Sequence, residues 1–128
     1  MGEVSAARGV VFVAGRALAL VIESDDLFRS FLTRVLEKLD IQCVLADPDR
    51  ALDSDLPSVT WVFLDAALAS TYLPQLLQYP DLRVALMGWD PELQDVFQPW
   101  FPRVVYVPKP LFKDAQSVSR VLDSAPST

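Results

Sequence analysis

The 128-residue chain contains no histidine. That one absence removes Ser/His/Asp and Cys/His catalysis, imidazole metal ligation and any phosphohistidine carrier. Cys43 is the only cysteine, so neither an internal disulfide nor a thiolate zinc cluster can form, and a cytosolic setting fits best. Glycine occurs four times, without a glycine-rich phosphate loop or a nucleophile elbow, so catalysis on an external substrate is not expected. Basic residues are in the minority. Eleven Lys and Arg against 17 Asp and Glu leave a net charge of −6, which repels a phosphate backbone or an anionic membrane. Nucleic acid is therefore not expected as a direct partner. Long apolar runs are also missing: "GVVFVAGRALALVI", from Gly9, is broken by Gly15 and Arg16 and is too short to span a bilayer. Neither a signal peptide nor membrane insertion is expected.

What is present is a chain 52% hydrophobic, long enough for one domain with a core and too short for two. The ends, "MGEVSAAR" and "DSAPST", are small and polar. The apolar "VVFVA" before Gly15 reads as an extra edge strand or as the tail of a preceding domain. The expected organisation is a linker or tail over 1–16, one domain over 17–122 and a linker over 123–128.

From Ala17 short apolar runs alternate with helical patterns, the mark of repeated βα units and a parallel sheet. "ALALVIE" (17–23) reads as a buried strand. Leu27, Phe28, Phe31, Leu32, Val35, Leu36 and Leu39 then share one helix face over about four turns. Ser24 is a natural N-cap, with Asp25 and Asp26 favourably placed against the helix dipole. "QCVLA" (42–46) is a second strand, and the Asp-Pro of "DPDRALDSDL" starts a short helix. "SVTWVFLD" (58–65) is a third strand, followed by a short helix around "TYLPQLLQ" that is interrupted near Pro74. "LRVALMG" (82–88), a helix in "PELQDVFQ" (91–98), "RVVYV" (103–107) and a last helix over about 113–122 complete five βα pairs. The fold predicted is a doubly wound α/β sandwich.

In such sheets ligands sit outside the carboxyl ends of the strands. Parallel strands share that edge, so Glu23, Asp65 and Lys109 are delivered to one rim. Two carboxylates and an ammonium there suit a hard cation and a phosphoryl group, the oxygens for the metal and the lysine for the phosphate. Strands commonly end in polar residues, so no single acid carries this reading.

Taken together, "VIESDDLFRSFLTRVLEKLDI", "VFLD" and "VVYVPKP" resemble the receiver domain of bacterial two-component signalling proteins, over about residues 17–122. The resemblance implies a flavodoxin-like, CheY-like (βα)5 three-layer sandwich with strand order 2-1-3-4-5. It implies Asp65 as phosphoacceptor and Lys109 as the lysine that contacts the phosphoryl group, with Pro110 after it. Tyr106 matches the position where an aromatic side chain changes rotamer with activation state.

The departures cluster at that site. The family's acidic pair aligns with Glu23 and Ser24, so a magnesium ligand is replaced by serine, while Asp25 and Asp26 fall on the first helical turn. Mg²⁺ needs near-octahedral oxygen geometry, so a site reduced to Glu23 and Asp65 should bind it weakly. The hydroxyl residue at the end of strand four is Gly88, followed by Trp89 where a small residue is usual; the indole is expected to fill space beside the site. The segment from Asp65 to Gly88 is short, so the third helix should be stunted.

These departures point to a pseudo-receiver: a regulatory, non-enzymatic part of a hybrid histidine kinase or response regulator that works by contact, without normal Mg²⁺-dependent phosphorylation. The alternatives are a weakly working phosphorelay receiver that accepts a phosphoryl group on Asp65, and a cyclic-dinucleotide module using Arg83, Trp100, Arg103 and Tyr106. Trp100, Phe101 and Tyr106 are more simply packed under the last helix, and Cys43 is most simply a small core residue. Expected partners are histidine kinase domains or other signalling proteins, with a homodimer through the face of the fourth helix, fifth strand and fifth helix. The resemblance implies a cytoplasmic bacterial setting, free or tethered through a membrane-bound parent kinase.

Overall fold

The structure, a computed structural model, describes residues 17–46, 59–100 and 103–124. Five strands, β1 (Ala17–Ile22), β2 (Ile41–Leu45), β3 (Trp61–Asp65), β4 (Arg83–Gly88) and β5 (Val104–Pro108), form one parallel sheet in the order β2-β1-β3-β4-β5. This is the order expected from the sequence. The described helices are α1 (Asp26–Lys38), α2 (Ala69–Leu76), α3 (Leu93–Val96) and α4 (Ala115–Asp123). The expected helix in "DPDRALDSDL", the "VVFVA" segment and Phe101 lie outside the described residues.

Alternate side chains of each strand supply two cores, one on each face of the sheet. Leu20, Ile22, Val62, Leu64, Val84 and Leu86 point to one face and meet Tyr72, Leu73 and Leu76 of α2. Ala19, Val21, Phe63, Ala85 and Met87 point to the other and meet Phe28, Leu32 and Leu36 of α1 and Val118 and Leu122 of α4. Because both faces are covered, β3 is buried along its whole length and reads as a continuous apolar run, unlike the half-exposed edge strand β2. Cys43, on β2, packs half-buried against the second core; burial, with the Glu37 charge nearby, pushes its thiol up to about 11.

Several local expectations are corrected. The cap of α1 is Asp25, not Ser24: the Asp25 carboxylate accepts the N–H groups of Leu27 at 2.9 Å and Phe28 at 3.2 Å. The cap moves one residue on because the chain is still turning off the strand at Ser24, where the Glu23 carboxylate receives the Asp25 N–H at 3.1 Å. Leu27 and Phe31 do not join the core, being 84% and 37% exposed. The apolar face read from periodicity is wider than the strip of sheet beneath the helix. Pro74 does not interrupt α2, which runs through it for two more residues and is eight residues long, as stunted as expected. At the end of α1, Asp40 adopts φ 63°, a left-handed turn that Asp tolerates better than most residues.

The capping assignment has a direct check. Asp25→Ala should lower stability in urea unfolding by about 1 kcal/mol, and Ser24→Ala by less than ~0.5 kcal/mol. The opposite order would return the cap to Ser24.

Candidate functional site

Register brings the rim together. Ile22 pairs with Leu64, so Glu23 and Asp65 emerge side by side; Asp65 pairs with Met87, and Gly88 with Pro108, the residue before Lys109. One strand separates β5 from β3, so only a side chain as long as lysine carries a charge from the end of β5 back to Asp65. Lys109 does so, its Nζ lying 3.0 Å from Glu23 Oε1 and 3.4 Å from Asp65 Oδ1.

This cluster is enclosed. Glu23, Asp65 and Lys109 are the buried charged residues among those described, at 0%, 9% and 4% exposure. Each carboxylate is further held by backbone: Glu23 Oε2 accepts the Asp25 N–H, and Asp65 Oδ1 accepts the Ala67 N–H at 3.4 Å. Glu23 Oε1 has no hydrogen-bond partner of good geometry, so its contact with the ammonium is ionic in character. Arg29 donates to the Glu23 carbonyl at 3.1 Å and pairs with Asp26, which ties the start of α1 to the end of β1.

Aromatic rings cover the ammonium from the other side. Its nitrogen lies 4.5 Å from the Phe28 ring centre and 5.7 Å from that of Trp89, within cation–π range. Phe28 and Trp89 meet edge to face at 6.0 Å. Trp89 therefore caps the site from above rather than plugging it, keeping 64% of its own surface exposed. Nothing in the sequence marked Phe28 as part of this cage, since its periodicity reads only as core.

Gly88 has a second role. A Cβ built on it would stand 2.6 Å from the Tyr106 hydroxyl and 3.0 Å from Leu93 Cδ1, so the absence of a side chain makes room for the phenol. Tyr106 is buried in the core that α2 covers, not under the last helix, and donates to the Asp90 carbonyl at 2.8 Å. Burial, and then the Asp90 charge, raises its pKa above the ordinary tyrosine value. The same carbonyl accepts the Leu93 N–H, and the Asp90 carboxylate accepts the Glu92 N–H, so the phenol anchors the loop that carries Trp89.

The donors expected for Mg²⁺ are otherwise engaged. Ser24 is exposed, Asp25 is engaged in capping, and the ammonium of Lys109 contacts both remaining carboxylates. Among the described residues no three Asp, Glu, His or Cys side chains are grouped as a metal site would need. Of the residues expected for a cyclic dinucleotide, Arg83 and Arg103 precede paired residues of β4 and β5 at the opposite edge of the sheet from Lys109. Arg83 stacks on Trp61, Arg103 donates to the Tyr79 carbonyl, Tyr106 is buried and Trp100 is 41% exposed rather than packed away.

No family model matches the chain, and no curated protein does. Solved structures do. A response regulator receiver domain protein of Clostridium thermocellum superposes with a TM-score of 0.69 at 19% identity, over 85% of this chain and 93% of the other. A signal receiver domain of an HD domain-containing protein from Pseudomonas fluorescens Pf-5 gives 0.67 at 25% identity, over 91% and 90%. The fold is that of a receiver domain. A response regulator from Thermotoga maritima, at 18% identity and a TM-score of 0.65 over 85% and 99%, agrees. On the receiver fold, Asp65 and Lys109 converge as the sequence implied, Glu23 joins them, and Ser24 turns away to solvent.

The packing over Gly88 is open to test. Gly88→Ala should destabilise the protein by about 1–3 kcal/mol, and by clearly less when made in Tyr106→Phe, where the oxygen it strikes is gone. Equal costs in both backgrounds, read by urea unfolding, would contradict the close approach of the phenol.

Proposed function

We propose that this chain is a degenerate receiver domain, part of a hybrid histidine kinase or response regulator, that regulates a signalling partner by contact rather than through Mg²⁺-dependent phosphorylation of Asp65. The observation that carries this reading is the ammonium of Lys109 in contact with both Glu23 and Asp65 beneath Phe28 and Trp89. An internal cation already neutralises much of the charge that would attract a metal. Three further features support it. Serine replaces an acid at position 24, glycine replaces a hydroxyl residue at 88, and the Tyr106 phenol occupies the space above that glycine.

Such a domain is non-enzymatic and acts through its surface. Kinase domains or other signalling proteins are its proposed partners. Val96 and Trp100, 62% and 41% exposed, support a homodimer across α3, β5 and α4. Among the described residues no helix is long and apolar enough to cross a membrane. A second reading, slow phosphorylation of Asp65, is favoured by two features: the Asp65–Lys109 contact is present, and the Asp65 side chain keeps 12% of its surface.

The two readings separate cleanly. After incubation with acetyl phosphate and Mg²⁺, intact mass should show no phosphoryl group on the chain, and Trp89 fluorescence should not respond to Mg²⁺ with beryllofluoride. A saturable response that disappears in Asp65→Asn would overturn the proposed function in favour of the second reading.

A further inference from the structure

Arg83 and Arg103 stand side by side at the amino-terminal edge of the sheet, the end away from Lys109. Val84 pairs with Val104, so the residue before each lies on a neighbouring strand. Like charges set next to one another across strands repel. Acids are not scarce in this chain, at 17 against 11 basic residues, yet among the described residues neither arginine has a carboxylate partner. The ion pairs there are Arg29 with Asp26 and Lys109 with Glu23 and Asp65.

Both guanidinium groups are nevertheless held. Arg83 lies over the ring of Trp61, its register partner on β3, at 5.7 Å from the ring centre. Arg103 donates to the Tyr79 carbonyl at 3.1 Å, and the same carbonyl accepts the Leu82 N–H, so Arg103 is fixed to the turn that leads into Arg83. Contacts of this kind orient a guanidinium without cancelling its charge, and they leave most of its five N–H donors unused. Arg103 is exposed and Arg83 half-buried, so solvent reaches both.

The other charges of this edge are of both signs. Asp81 is exposed in the same turn, Glu37, Lys38 and Asp40 lie at the end of α1, and Arg120 and Asp123 lie in the last turn of α4. What singles out Arg83 and Arg103 is adjacency, restraint and the lack of a counter-charge among the described residues.

We propose that Arg83 and Arg103 together bind a phosphate monoester group, free or carried on a small molecule, with one guanidinium on each side of it. Two cations match the charge of about −1.5 to −2 that such a group carries at neutral pH; a carboxylate would satisfy one arginine and leave the other. The planar fork of arginine suits pairs of phosphate oxygens. Trp100, 41% exposed, belongs to the same turn as Arg103, whose N–H its carbonyl accepts at 3.1 Å, and offers aromatic surface to a ring attached to the phosphate. The inference goes beyond the contact-based function and is independent of chemistry at Asp65, which ends β3 where Trp61 begins it.

The test is calorimetry on the whole chain, without Mg²⁺, with inorganic phosphate, adenosine monophosphate, adenosine and acetate as probes. Phosphate and adenosine monophosphate should bind with a Kd of about 1 mM or tighter, and adenosine and acetate at least about tenfold more weakly. A preference for adenosine monophosphate assigns the site to a phosphorylated small molecule with a ring; equal affinities assign it to the phosphate group itself. Arg83→Gln and Arg103→Gln should each weaken phosphate binding by at least about tenfold, and Arg83→Lys should weaken it too, because lysine has no fork. Asp81→Asn should tighten it, because a nearby negative charge is removed. Where an arginine variant melts lower than the parent chain, Asp81→Asn decides, since it changes an exposed turn position. No saturable binding of phosphate, acetate bound as tightly as phosphate, or binding indifferent to both Arg103→Gln and Asp81→Asn would overturn the proposal.

Discussion

Two carboxylates at the ends of neighbouring parallel strands repel each other, and burial magnifies the repulsion. In this chain Lys109 resolves the conflict, reaching from the end of β5 to within 3.0 Å of Glu23 and 3.4 Å of Asp65. Much of the surrounding structure follows from housing that ammonium. Phe28 and Trp89 offer it their ring faces, backbone N–H groups of Asp25 and Ala67 share the carboxylate oxygens, and Arg29 fastens α1 to the strand that ends in Glu23. Removing one member of such a cluster leaves the others buried and uncompensated, which is far more costly than the pair's net contribution.

Beside this charge cluster lies a steric one. Gly88 leaves a gap, Tyr106 fills it, and the phenol fixes the loop on which Trp89 is mounted. The two clusters meet at Trp89, which touches the ammonium on one side and solvent on the other. With serine at position 24 and glycine at 88, the rim of this receiver fold is organised around side-chain packing. The proposed function, contact with a partner rather than chemistry at Asp65, rests on this rim.

How much of this the sequence carried depends on the physics involved. Strand order and the convergence of Glu23, Asp65 and Lys109 were legible because parallel strands share one edge, and because "VFLD" and "VVYVPKP" stand in recognisable order. The stunted α2 was legible from the short span between Asp65 and Gly88. Local chemistry was less so. Ser24 and Asp25 are both good caps, and only the turn of the chain past Glu23 decides between them. Leu27 and Phe31 fit the helical period as well as Phe28 and Leu32 do, but period does not report how wide a strip the sheet covers. The missing side chain at Gly88 read as a lost hydroxyl; that the gap is filled by Tyr106 depends on the β4–β5 pairing and on three-dimensional packing.

The central claim is that Lys109 is energetically bound to the carboxylates around it. A double-mutant cycle measures this directly, with Lys109→Met, Glu23→Gln and the pair compared by urea unfolding at neutral pH. The account predicts that each single change destabilises strongly, by about 3 kcal/mol for the lysine, and that the double variant recovers part of the loss, with a coupling on the order of 2 kcal/mol. Effects that add to within ~0.5 kcal/mol would show that the ammonium and the carboxylate are neighbours without being partners, and would contradict the account.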